Sequence, residues 1–121
     1  MTKLATKHYY VRVSSLKMAI AFFREKLNLH VKPKSLKYFE GAIVFYSPRI
    51  QIFLSEKVYP DQTDEVYLDT TDCLEHYCRL KTNNVEFKGK PSYSSSGLAA
   101  EFTDPDGNRY HLLEPRTYPA K

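Results

Sequence analysis

The chain has 121 residues, 42% hydrophobic and 26% charged, with 18 Lys+Arg against 14 Asp+Glu for a net charge of +4. That bounds it to one ordinary globular domain able to bury a core, and the mild charge, without a dense basic stripe or a nucleic-acid module, excludes nucleic acid as the expected partner. Two cysteines that form no C-x-x-C motif, and the lack of a signal-like or long apolar run, exclude a disulfide framework and a membrane span and point to a reduced, cytoplasmic setting.

Tyr9–Val13 alternates as a strand, and Ser14 and Ser15 offer a helix N-cap. Leu16, Ala19, Ile20, Phe23 and Leu27 then recur at helical spacing, and Asn28 can end the helix in the left-handed conformation. Strands are expected over 30–39, 41–47 and 49–55, with turns at Gly41 and at Ser47-Pro48-Arg49. Residues 57–64 read as a linker. The pattern restarts with a strand from Glu65, and Asp72 with Glu75 makes a capping box for a second helix. Leu74, Tyr77, Cys78 and Lys81 line one side of that helix, Leu80 is adjacent, and both cysteines are expected to pack as small apolar residues. Asn83-Asn84 ends it, and strands follow near 85–91, 98–103 and 109–114, interrupted by Ser94-Ser95-Ser96-Gly97.

The last two strands flank Asp104-Pro105-Asp106-Gly107-Asn108, a strong hairpin turn. His111 stands four residues past the turn glycine on a strand, a suitable place for a ligand or a base. The element order is βαβββ twice. Strand one and strand five are offset by 57 residues, and the fourth strands, near Gln51 and His111, by 60. The expected fold is α+β, a single domain over 1–121 with module one over roughly 7–56 and module two over roughly 64–115, forming a curved mixed sheet around a cleft.

Paired βαβββ modules with a final Asp-Pro-Asp-Gly-Asn hairpin resemble the vicinal oxygen chelate superfamily, the glyoxalase, bleomycin-resistance and dioxygenase group. The likeness runs from Lys7 to Pro115. Its most specific pieces are Val11–Leu16 leading into Phe22–Leu29, and Asp104–Glu114. Asn28 and Asn84 stand where members usually have Gly, a change that Asn tolerates.

The resemblance implies four metal-ligand positions, carried here by His8, Gln51, Glu65 and His111. Two imidazoles, a carboxylate and an amide oxygen suit Zn, Ni, Co, Mn or Fe(II), and such a centre can stabilise an enolate, with Glu65 doubling as the proton-abstracting base. Each residue also has a structural reading: His8 at a frayed strand start, Glu65 solvated, Gln51 on a strand surface, and His111 hydrogen-bonded within the cleft. Members without metal keep the fold, so the ion can be absent. Strand parity adds Tyr10 and Arg12 beside His8, Phe53 beside Gln51, Tyr67 and Asp69 beside Glu65, and Arg109 beside His111. Arg12 or Arg109 can hold an acidic group of a substrate, and the aromatics can wall a pocket.

Three functions follow as expectations from the resemblance. The first is a divalent-metal-dependent lyase or isomerase acting on a small oxygenated substrate through an enolate. The second is a metal-free binding protein of the antibiotic-resistance kind, for which the net charge of +4 favours an anionic over a cationic ligand. The third is an extradiol-type dioxygenase using His8, His111 and Glu65. A homodimer is implied by the resemblance alone.

Overall fold

The computed structural model describes residues 6–58, 62, 63 and 65–115. The expected linker over 57–64 falls partly outside them, at residues 59–61 and 64. The chain is α+β and divides into two compact units, residues 1–64 and 65–121. Among the described residues no helix is long and apolar enough to cross a membrane.

In unit one, β1 (Lys7–Arg12) leads to α1 (Leu16–Ala21), which continues as a π-helical turn over Phe22–Lys26. Ser15 caps the helix, its side chain accepting from the Met18 N–H. Asn28 follows at φ 55°, the left-handed stop expected of it. The wider π turn brings Phe22 as well as Phe23 inward, so the buried face is Ala19, Phe22, Phe23 and Leu27, while Leu16 and Ile20 are only half-buried. Then come β2 (His30–Leu36), β3 (Phe39–Ser47) and β4 (Ile50–Ser55). The sheet order is β1-β4-β3-β2, with β1 parallel to β4 and the other pairs antiparallel. The helix packs on β3 and β4. Tyr9, Val11, Val44, Ile52 and Leu54 are buried on one face, and the alternate residues form a helix-free face. Gly41 sits where a Cβ would lie 1.9 Å from the Leu54 carbonyl oxygen and 3.1 Å from the Phe39 ring. The close approach of β3 to β4 therefore requires glycine there.

Unit two repeats the plan with β5 (Glu65–Asp69), α2 (Cys73–Thr82), β6 (Glu86–Phe87), β7 (Ser92–Ser94), β8 (Gly97–Thr103) and β9 (Arg109–Pro115). β5 runs parallel to β9, β9 pairs antiparallel with β8, and both β6 and β7 pair with β8. Of the strand expected over 85–91 only Glu86–Phe87 forms, and a second short strand, Ser92–Ser94, follows beyond it. Gly89 and Pro91 account for the gap, since neither supports a continuous ladder.

Asp72 caps α2 by accepting from the Glu75 N–H, and Asn84 stops the chain at φ 64°. The buried side of α2 differs from the one expected. Cys73 and Leu80 are fully buried and Tyr77 half-buried, whereas Leu74 is 54% exposed and Cys78 also faces solvent. The seven-residue step from Cys73 to Leu80 is two helical turns, so it sets the true stripe.

A carboxylate from the last strand region of each unit reaches back to its helix. Glu56 accepts from the Leu16 N–H at 2.8 Å, and Glu114 from the Cys73 N–H at 2.9 Å. Both N–H groups belong to first-turn residues without an intrahelical acceptor, and a negative charge there is favourable.

The 104–108 turn is built on Asp104, one of the few buried polar residues. It accepts from the backbone N–H of Asp106 and of Asn108, from the Asn108 amide, and from the Tyr110 hydroxyl at 2.8 Å. Burial, reinforced by the Asp104 charge, pushes the Tyr110 phenol well above its usual range. Replacing Asp104 by Ala strands these donors, and urea unfolding is expected to show a loss of about 3 kcal/mol, against about 1 kcal/mol for Tyr110→Phe. Gly41→Ala should cost about 2 kcal/mol or more in the same assay.

Candidate functional site

In unit one the parallel register aligns His8 with Gln51, Tyr10 with Phe53, and Arg12 with Ser55. His8, Tyr10, Arg12, Gln51 and Phe53 therefore share the helix-free face, as parity predicts. Phe53 is the centre of an aromatic cluster: its ring centroid lies 5.2 Å from that of His8, 5.0 Å from Tyr10 and 5.2 Å from Phe39. Rings in that range gain from edge and offset contacts as well as from burial.

In unit two the register aligns Glu65 with Arg109, Tyr67 with His111, and Asp69 with Leu113. The His111 ring stacks on Tyr67 at 4.6 Å and 13°. Its Nε2–H donates to Glu65 Oε1 at 2.9 Å, and Arg109 Nη2 lies 3.5 Å from the same oxygen. An ionised carboxylate only accepts, so the proton of this bond sits on Nε2. The hydrogen bond from His111 holds the Glu65 carboxyl below its ordinary range against partial desolvation, and the Arg109, His111 and Lys88 charges act in the same direction.

Sequence reasoning missed Glu101. Its carboxylate lies 3.8 Å from His111 Nδ1, so the imidazole stands between two acidic groups. The signal was available: pairing across the 104–108 turn puts Glu101 opposite His111.

The two units can be aligned by their internal bonds. The Val13 N–H donates to the Ser55 carbonyl, and the Thr70 N–H to the Leu113 carbonyl. The residues before each helix are thus offset by 57 and those of the last strands by 58, not 60. Arg109 then answers to Gln51, and the residue that answers to His111 is Phe53, the register partner of Tyr10 as His111 is of Tyr67. The bulge between Phe45 and Ser47 in β3 lies just before β4, in the region where sequence spacing alone is ambiguous.

This alignment bears on whether the residues fit a metal. Two donors bound to one ion at about 2.1 Å stand about 3 Å apart, so Glu65 Oε1 and His111 Nε2 have the separation of a ligand pair. In unit one the counterpart of His111 is a phenyl ring with no donor atom. Among the described residues no group of three or more His, Cys, Asp or Glu is placed to hold an ion. A catalytic zinc centre uses three protein ligands, and the described residues of neither unit group three such side chains.

Comparison with known proteins agrees with this architecture. The family model of the Glyoxalase/Bleomycin resistance protein/Dioxygenase superfamily matches residues 5–112. The uncharacterized protein YetH of Bacillus subtilis (strain 168) is 33% identical over 86 residues, which are 71% of this chain and 65% of that protein. The match therefore spans just under two thirds of that curated relative's length. TnmS3, an antibiotic binding protein from Streptomyces sp. CB03234, shares the fold with a TM-score of 0.77 at 22% identity, over 96% of this chain and 99% of that one. A member of the same superfamily from Sphaerobacter thermophilus DSM 20745 gives 0.74 at 25% identity, over 90% and 95%. With two βαβββ units and a family match over nearly its whole length, the chain belongs to the glyoxalase/bleomycin resistance protein/dioxygenase superfamily.

Proposed function

We propose that the protein binds a small planar molecule on the aromatic helix-free faces of its modules and does so without a metal ion. The observation that carries this reading is Phe53, a ring packed among His8, Tyr10 and Phe39 at the position answering to His111. Half-buried rings on a sheet face suit stacking by a planar ligand, and a phenyl group cannot ligate. Tyr67, with 46% of its surface exposed over His111, offers a second stacking surface. The likeness to an antibiotic binding protein is compatible with this reading, though at 22% identity it carries the fold alone. Arg12 lies on the Phe53 face, and Arg109, already beside Glu65 at 3.5 Å, on the His111 face.

The 2.9 Å Glu65–His111 pair favours a second reading, the metal-dependent lyase, in which His8, Gln51, Glu65 and His111 hold the ion. Such an ion would polarise a substrate oxygen. Metal analysis of protein purified without chelator separates the two. Under the binding reading, well under about 0.1 ion per chain is expected and Ni or Zn leaves the Tm unchanged. A stoichiometric ion, or a Tm raised by several degrees, overturns it and restores the lyase or, with iron, the dioxygenase.

The Glu65 carboxyl is a weak candidate for a general base, because an efficient base has a pKa near the working pH and its own is lowered. A carboxyl with a lowered folded-state pKa stabilises the fold above its unfolded value, and that stability is lost as pH falls through the folded value. The urea midpoint of the wild type should therefore fall more steeply than that of Glu65→Gln below the ordinary carboxyl value of 4.5. Parallel acid limbs would show that the pair contributes nothing.

A further inference from the structure

β6 and β7 are separated by a gap along the edge of β8. Where Gly89 and Pro91 interrupt the edge, a cavity of about 300 Å³ opens against β8, bordered by Lys88, Lys90, Ser92, Ala99, Glu101 and His111. It lies wholly within unit two. Ala99, one of the smallest side chains available, takes little of its volume, and a Cβ at Gly89 would meet nothing within 4 Å. The Lys88 N–H donates to the Glu101 carbonyl at 2.9 Å, and Ser92 pairs with Ala99, so both rims are tied to β8.

The lining of this cavity carries charge of both signs. Lys88 and Lys90 are exposed, and among the described residues neither has a carboxylate within ion-pair distance. Glu101 and His111, both largely buried, already face each other. The lining therefore offers two ammonium groups, a hydroxyl, and a carboxylate that can only accept.

We propose that this cavity is a subsite for a small organic acid whose carboxylate meets Lys88, Lys90 and Ser92, and whose hydroxyl or amino group donates to Glu101. The subsite rests on the reading of the protein as a ligand-binding one and specifies the class of ligand. A cation would meet two lysines at the rim, and a dianion would bring its second charge against Glu101. A single acid group with a separate donor satisfies both kinds of lining group, and the volume suits a molecule at the small end of the ligand range. The His111 ring adds a flat surface to the lining.

The probe is 4-hydroxybenzoate, compared with 4-hydroxybenzamide and 4-hydroxybenzylamine and followed by amide chemical shifts. The acid should move the signals of Gly89, Ser92 and Ala99. Lys88→Gln/Lys90→Gln, which changes only exposed side chains, should weaken its binding about tenfold or more, as should the change of acid to amide. No shift at those amides up to about 10 mM acid, equal affinity in the double variant, or tighter binding of the amine overturns the subsite. Amide or acid shifting residues around Tyr10 and Phe53, independently of the lysines, also overturns it but leaves the binding function standing. If none of the three compounds moves signals in either unit, both readings fall.

Discussion

The parallel pairing of the last strand of each module with its first is the constraint on which the site depends. A parallel pair cannot be joined by a tight turn, and the chain passes through a helix and two further strands before β4 reaches β1, and through a helix and three further strands before β9 reaches β5. That return fixes which side chains stand abreast. It sets His8 beside Gln51, Tyr10 beside Phe53, and Tyr67 beside His111. Because side chains alternate along a strand, a slip of one residue in either ladder would exchange the aromatic and charged face for the apolar core.

The features legible in the sequence are those with local causes. Ser15 and Asp72 cap their helices, and Asn28 and Asn84 stop them, because each acts on backbone within a few residues of itself. The 104–108 hairpin is written in turn chemistry, and it fixes the parity of His111 and its neighbours. The features that were not legible depend on distant partners. The buried stripe of α2 is chosen by what packs against it, so Cys73 wins over Leu74 although Leu is the larger apolar group. The offset of 58 between last strands comes from a ladder bond, Thr70 to Leu113, that no spacing rule reveals. Nothing in the local sequence marks Lys88 and Lys90, because it is the break at Gly89 and Pro91 in the folded edge that brings them to the cavity.

The two modules have used one plan for different chemistry. Module one places a hydrocarbon ring at the centre of its helix-free face, and module two places an imidazole held by carboxylates at the corresponding point. Arg109 and His111 share the Glu65 carboxylate, so that acidic group is partnered within its own unit.

The reciprocal carboxylate caps bear on how such a module comes to fold. A six-residue helix such as α1 has almost no stability of its own, since nucleation costs more than so few bonds return. Its first free N–H is met by Glu56, 40 residues further on, and that of α2 by Glu114, 41 residues on. Neither cap exists until the closing strand has docked. Beside the local caps of Ser15 and Asp72, the duplicated glutamate ties the start of each helix to the last-strand region of its own module, so this second cap is in place only when the ladder has closed.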